Sequence, residues 1–241
     1  MPAGRSLLED LGLTEQMRRA GARSFSALRF HLPNRGILKL DFSEHAPRRL
    51  GCVLTRESLD HLLVRFASSH RKVDLREGCR VVQSRVGPRG VELKIQEGDR
   101  CERVIARVLV GADGIQSRFR AAAGIGSLSC GRQRFALRRL YEEYSHTPGR
   151  AVEVYCSTGA EAYVAPLSSR SARITLLVDR RFLPASKGAD ALYEELLRKF
   201  PAILDRLGNA GHCSRAETTS PVSARFASCH ANRLLLVGDA A

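Results

Sequence analysis

Hydrophobic positions in this chain change their period several times, and each change marks an element. Leu7, Leu8 and Leu11 fall at helical spacing before Gly12, which predicts a short amphipathic helix at the start. Between Ser24 and Leu50, Phe25, Leu28, Phe30 and Leu32 are followed by Ile37, Leu38, Leu40 and Phe42, with Pro33-Asn34-Arg35-Gly36 between them. That pattern reads as two strands and a turn. Leu59, Leu62, Leu63 and Phe66 then line one face of a helix over 55–66, with Thr55 and Ser58 as possible caps. Residues 79–110 form a meander: Val81-Val82, the turn Gly87-Pro88-Arg89-Gly90, the alternating Val91 to Ile95, and Glu97-Gly98-Asp99 before the next strand.

From about 128 to 222 the period is two. Strands are predicted at 135–141, 151–156, 162–167 and 173–178, alternating as in an antiparallel sheet with one covered face. Glu153 and Tyr155 therefore face away from Val152 and Val154, one set towards a helix layer and the other towards solvent or a ligand cavity. Ala189, Leu192, Tyr193, Leu196, Leu197 and Phe200 make the cleanest helical stripe, and Pro201 either ends that helix or opens a second. The stretch 214–226 is polar and irregular, a crossing before the apolar run Leu234 to Val237.

Two places break the pattern where chemistry is carried. Val108-Leu109-Val110 is short and continuously apolar, which predicts a strand covered on both faces, of the parallel-sheet kind. It stops at Gly111-Ala112-Asp113-Gly114 and restarts as a helix bearing Ser117 and Arg120 one turn apart. Gly111 and Gly114 allow a sharp turn and a close backbone approach. Asp113 stands at the carboxyl end of that strand, where open α/β sheets place ligand contacts; as a favoured cap residue it equally suits the start of the helix. The second place is the end of the chain, Leu236-Val237-Gly238-Asp239-Ala240-Ala241.

Composition narrows the function classes. With 241 residues and 44% hydrophobic residues the chain suits one large or two small globular domains. No apolar run approaches the roughly 20 residues of a membrane span, and Met1 to Ser6 has no apolar core of signal-peptide length. A soluble, cytoplasmic protein without stable membrane insertion is expected. The net charge of +14 invites a nucleic-acid partner, but only five of the 39 basic residues are lysine and the arginines are scattered without blocks or aromatic interleaving. No nucleic-acid partner is expected. Seven cysteines, at 52, 79, 101, 130, 156, 213 and 229, never form a C-x-x-C pair, so neither a zinc site nor a disulfide framework is indicated. His61 has no neighbouring residue to act with as a catalyst.

The string Gly111-Ala112-Asp113-Gly114-x-x-Ser117-x-x-Arg120 resembles the DG motif of the flavoprotein monooxygenase and reductase superfamily built on the para-hydroxybenzoate hydroxylase fold. Gly238-Asp239-Ala240 resembles that family's GD motif, 126 residues further on by the spacing of the two aspartates. The resemblance implies an α/β (α+β) fold: an incomplete Rossmann-like FAD-binding domain at 1–23, 51–127 and 223–241, with an inserted antiparallel-sheet substrate domain at 24–50 and 128–222. It implies FAD as cofactor and NAD(P)H as electron donor. Arg56, Gly111, Asp113, Gly114, Ser117, Arg120, Gly238, Asp239 and Ala240 would bind the cofactor. For Arg56, in an R-x-x-L-x-x-x-L pattern, a solvated arginine is the alternative.

Tyr155, Tyr163 and Pro166 are the candidate substrate-pocket residues, with ordinary sheet packing as the alternative for the tyrosines. Pro166 belongs at a strand end or edge, since it cannot donate a ladder bond. The segment Gly159 to Leu167 is similar to one that passes over the flavin ring in geranylgeranyl-reductase-like and some halogenase-like relatives, and its part Glu161 to Pro166 favours the reductase-like side. The implied activity is a reductase acting on an apolar or aromatic small molecule. Aromatic hydroxylation or halogenation is the runner-up, and a truncated fragment without flavin the third reading. No G-x-G-x-x-G stands near the start, so the resemblance further implies a fragment that lacks the family's first βαβ unit and everything beyond the GD motif. No metal ligand set and no catalytic acid or base is assigned.

Overall fold

The residues that alternate between 134 and 179 build the largest sheet of the protein. The computed structural model describes residues 2–42, 50–128, 133–144, 149–183, 188–208, 210–212, 214–219 and 225–241. Helices α1 (Pro2–Asp10) and α2 (Thr14–Arg19) lead into β1 (Arg23–Phe25), β2 (Ala27–Leu32), β3 (Gly36–Asp41), β4 (Gly51–Val53) and α3 (Arg56–Ser68). Next come β5 (Cys79–Gly87), β6 (Gly90–Glu97), β7 (Arg100–Ala106), β8 (Leu109–Gly111), α4 (Arg118–Ala122) and β9 (Ser127–Leu128). The long strands β10 (Arg134–Glu142), β11 (Ala151–Ser157), β12 (Ala160–Pro166) and β13 (Ser171–Asp179) precede α5 (Ala189–Leu197) and α6 (Pro201–Leu207). The chain ends with β14 (Glu217–Thr219), β15 (Arg225–Phe226), β16 (His230–Ala231), β17 (Leu234–Leu236) and a 3-10 turn at Gly238–Ala240. These elements form two compact units, Met1–His70 with Arg132–Val222 and Arg71–Gly131 with Ser223–Ala241.

In the first unit seven strands pair in the order β14-β10-β13-β12-β11-β2-β3. The sheet is mixed: β11 and β2 run parallel, with Ala151 beside Ala27 and Tyr155 beside His31. Residues 27–41 thus join the same sheet as 134–179, through a parallel contact. Leu137, Val164, Ile174, Leu176 and Val178 bury one face against Tyr193, Leu196, Leu197 and Ile203. The predicted stripe through Phe200 is cut in two. Alpha-helical bonding stops at Leu197, and Pro201, which has no N–H to leave unpaired, opens α6 at its first position.

The region read as an irregular crossing contains β14, paired with β10 at the sheet edge. Three residues are too few to show a period. For the same reason α2 escaped the sequence pattern; among its six residues only Met17 is buried. Met17, Leu13 and Leu62 hold α2 and α3 together, and the Thr55 side chain caps α3 by accepting from the Ser58 amide. Residues 1–23 and 51–70 fall by contact with the seven-stranded sheet, where the motif-based division grouped them with the other unit. The tie is β1, which pairs β4 and runs almost directly into β2.

The second unit holds the antiparallel meander β5-β6-β7, with a register shift between Val81 and Gln83, and the small sheet β16-β17-β8. β17 and β8 are parallel, with Leu234 beside Leu109 and Leu236 beside Gly111. That face packs with Phe119, Ile125 and Ala240. Coverage on both faces, expected for 108–110, does not hold among the described residues: Val108 is 50% exposed and Val110 52%. Val110 stands on the opposite face of the pair beside Leu235, itself half exposed, and β8 has β17 as its sole described neighbour. An apolar run reports affinity for cover, and the cover itself comes from other segments.

Candidate cofactor site

The parallel pair sets the site. Because Gly111 and Leu236 are in register, the turns that follow β8 and β17 leave the sheet at the same, carboxyl end. The Val237 amide donates to the Gly111 carbonyl at 2.9 Å and locks the two exits together. Gly111 is glycine for packing. A Cβ there would stand 2.9 Å from Leu236 Cδ2 and 3.2 Å from Phe119 Cδ2, so the strand can lie close to the helix that follows. Gly114 and Gly238 instead hold positive φ, +80° and +61°, with nothing within 4 Å of a Cβ built on either. Each bends the chain beside an exposed carboxylate, Asp113 in one turn and Asp239 in the other.

Asp113 serves the helix it precedes. Its Oδ2 accepts from the Arg118 amide at 2.8 Å. Burial alone would raise its pKa, but hydrogen bonds from the Ser117 hydroxyl and from neighbouring amides outweigh that and hold it below the ordinary aspartate value. Ser117 is buried, and its Oγ also accepts from the Arg120 amide at 3.1 Å, making it the cap of α4. The resemblance placed Ser117 against a ligand; the structure spends its hydroxyl on the turn.

Arg120 is also committed inside the protein. Its side chain is buried, with Nη1 donating to the Ala240 carbonyl at 3.0 Å and Nη2 donating to the Ile115 carbonyl. Its guanidinium carbon lies 3.5 Å from the centre of the Phe226 ring. Phe226 and the two carbonyls carried no signal in the sequence. Phe226 falls in a stretch that read as irregular, and a backbone acceptor has no letter of its own.

The remaining candidates lie in the other unit. Arg56 begins α3 and pairs with Asp60 at 2.7 Å, one turn along. Tyr155 and Tyr163 are on opposite faces of the sheet, because Tyr163 is in register with Val154 and Tyr155 with Ala162. Tyr155 is buried in the helix-covered core, where its hydroxyl donates to Glu153 Oε2 at 2.8 Å and its ring stacks on His31 with centroids 4.0 Å apart. Tyr155 thus packs in the core: the set containing Glu153 and Tyr155 is the set that meets the helices. Tyr163 stays half-buried on the other face and donates to Glu161 Oε2 at 2.5 Å, while Glu161 pairs with Arg134 at 2.7 Å. Burial and the Glu161 bond push the Tyr163 hydroxyl up to about 12. Pro166 ends β12, buried and in register with Ala172.

Sequence reasoning also missed the buried cluster around Glu153. Oε2 takes the Arg206 guanidinium as well as Tyr155, and Oε1 faces Arg29 at 3.5 Å and His31 Nε2 at 3.6 Å. The available signal was a glutamate between Ala151 and Tyr155, on the face that must be buried. Among the described residues no group of three or more His, Cys, Asp or Glu could hold a metal ion, and no helix is long and apolar enough to cross a membrane.

Two acceptor-only carboxylates at glycine turns fit a hydroxyl-rich chain, whose O–H groups can donate to them, and repel a phosphate. Together with a mixed α/β fold, a parallel pair that opens at its carboxyl end is where open α/β sheets place ligand contacts. The chain belongs to the FAD binding domain family, whose model matches residues 5–241. Among curated proteins none matches it.

Solved structures share the fold. The flavin-dependent halogenase CmlS is 22% identical, with a TM-score of 0.87 over 100% of this chain and 45% of that one. The myxobacterial chondrochloren halogenase CndH is 22% identical, with a TM-score of 0.89 over 100% of this chain and 58% of that one. PqsL from Pseudomonas aeruginosa, a probable FAD-dependent monooxygenase, is 21% identical, with a TM-score of 0.74 over 99% of this chain and 67% of that one. The chain thus spans about half to two thirds of the length of these relatives.

Proposed function

We propose that residues 1–241 form the polyol-binding and substrate-side part of an FAD-dependent oxidoreductase. The observation that carries this is the pair of exposed carboxylates, Asp113 and Asp239, on glycine turns at the common end of β8 and β17. When bound, FAD would supply the redox chemistry. The protein's task is to hold and orient it: Asp239 accepts hydroxyls, while Asp113, steadied by the Arg118 amide, shapes the neighbouring turn.

A flavin-dependent oxygenation or halogenation is supported by the names of the structural neighbours; an apolar or aromatic small molecule as its substrate is part of the proposal. The reductase-like alternative rests on the segment Glu161 to Pro166. That segment is an interior strand whose Ala162, Val164 and Pro166 are buried, and this reduces its weight. NAD(P)H as electron donor, a cytoplasmic location and the absence of a nucleic-acid partner remain part of the proposal.

The test is FAD titration of the 241-residue chain by quenching of flavin fluorescence. The motifs here include no glycine-rich phosphate cradle, so a colourless preparation with weak, saturable quenching is expected. Asp239→Ala should weaken it about tenfold, the worth of a hydrogen bond to a charged group. Equal quenching by wild type and Asp239→Ala would reject Asp239 as the flavin's anchor.

A further inference from the structure

The parallel pair of the second unit has another end. Leu109 opens β8 and Leu234 opens β17, in register, two residues before the glycine turns leave the sheet. At that amino end lies a cleft of about 250 Å³. Leu109 and Leu234 line it from the pair, Phe119 and Ala122 from α4, and Val86 and Val91, side by side on β5 and β6, from the meander. Val91 and Leu234 are buried and Leu109 and Phe119 half-buried, so the lining has an apolar floor that water reaches poorly. Ala122 and its neighbour Ala123 offer one methyl each, which leaves space between α4 and the meander.

Charge is kept off these walls. Among the described residues at the cleft Arg85 alone is charged, and alternation along β5 turns its side chain to the face of the meander opposite Val86, with Glu92 as its register neighbour. The polar side chains that remain, Ser84 and Asn232, are neutral. Such walls return nothing to an ion for its lost hydration, while the Phe119 ring gives an aromatic partner a surface to stack on. Size sets the other limit. An apolar cavity of roughly 150 Å³ holds benzene, with six non-hydrogen atoms, so in proportion this one holds about ten.

We infer that this cleft is a binding site for a small, neutral aromatic molecule, separate from the two carboxylates at the other end of the pair. It stands on the lining and the volume alone and does not rest on the flavin reading. Fluorine NMR on the 241-residue chain tests it, with para-fluorotoluene as probe. Saturable broadening is expected, with a dissociation constant of about 0.1–1 mM for a ligand of this size, and with amide shifts at Val86, Leu109 and Leu234. The charged para-fluorobenzoate should bind at least about tenfold more weakly, since its carboxylate finds no partner there.

Ala122→Leu and Ala123→Leu each put three more carbons into the cleft from an exposed helix position, where leucine suits the helix. Both should weaken the probe by about tenfold and leave the amide spectrum of β5–β7 in place; two variants keep the test open should one disturb the fold. No saturable response up to the probe's solubility limit overturns the inference. So does equal binding in both filled variants, equal binding of para-fluorobenzoate, or displacement of the probe by FAD, which would move it to the cofactor corner.

Discussion

The seven-stranded sheet and the three-stranded corner solve opposite problems. In the sheet, polar groups are taken inside and matched: Glu153 meets Arg206, Tyr155, Arg29 and His31, and buried Arg139 meets Asp190 at 2.5 Å and Glu194. In the corner, apolar groups such as Val110 and Leu235 are left outside, and two carboxylates stand exposed on glycine turns. Long strands with helices across one face can bury a charge with its partners in place, which turns candidate pocket residues into packing. The three-residue strands of the corner enclose Ser117 and Arg120 beside α4 but leave both carboxylates at the surface. That contrast supports the proposal that the corner, rather than the tyrosine-bearing sheet, holds the ligand.

The largest effect that would break this contrast is in the sheet core. Tyr193 is fully buried and its hydroxyl reaches the Ile174 carbonyl at 3.3 Å. Tyr193→Ala should destabilise the first unit by roughly 3–5 kcal/mol, as large aromatic truncations do, read as a lowered urea midpoint. A change below about 1 kcal/mol would mean that the helix layer is not what supports the sheet.

Acid should sharpen the contrast. Burial keeps the His31 pKa below the ordinary histidine value; Glu153 opposes this, and Arg206 and Arg29 add to it. The other charged pair on that face is Lys39 with Asp41 on β3. With a folded pKa below the unfolded one, the unfolded chain binds the proton more readily. The His31 contribution is complete above about pH 6.5 and declines as pH falls through that value. Urea midpoints between pH 7.5 and 5 should fall in wild type and stay flatter in His31→Phe, which keeps a ring against Tyr155. Identical slopes would move the acid sensitivity elsewhere.

The smallest effect lies on the corner's open face. Val110→Lys should change stability by no more than about 0.5 kcal/mol, because its side chain is half exposed. Self-association should decrease, since a charge on an apolar edge strand discourages edge pairing. Light scattering against concentration reads it, and a loss of several kcal/mol would show that Val110 is covered after all.

Local pattern determined much of this. Alternation placed β10 to β13, the apolar stripe placed α5, and two short strings 126 residues apart identified both turns of the corner and the family they belong to. Period and turn chemistry act over a few residues, so a reader of the sequence has them in full. Tertiary structure alone decided which face of each strand is covered and which side chains are already spoken for. Glu153 became a core residue because α6 brings Arg206 across the sheet, and Arg120 became a fastener because the chain returns 120 residues later to offer a carbonyl. Such partners are distant in sequence, and often backbone atoms common to every residue, so no local pattern records them.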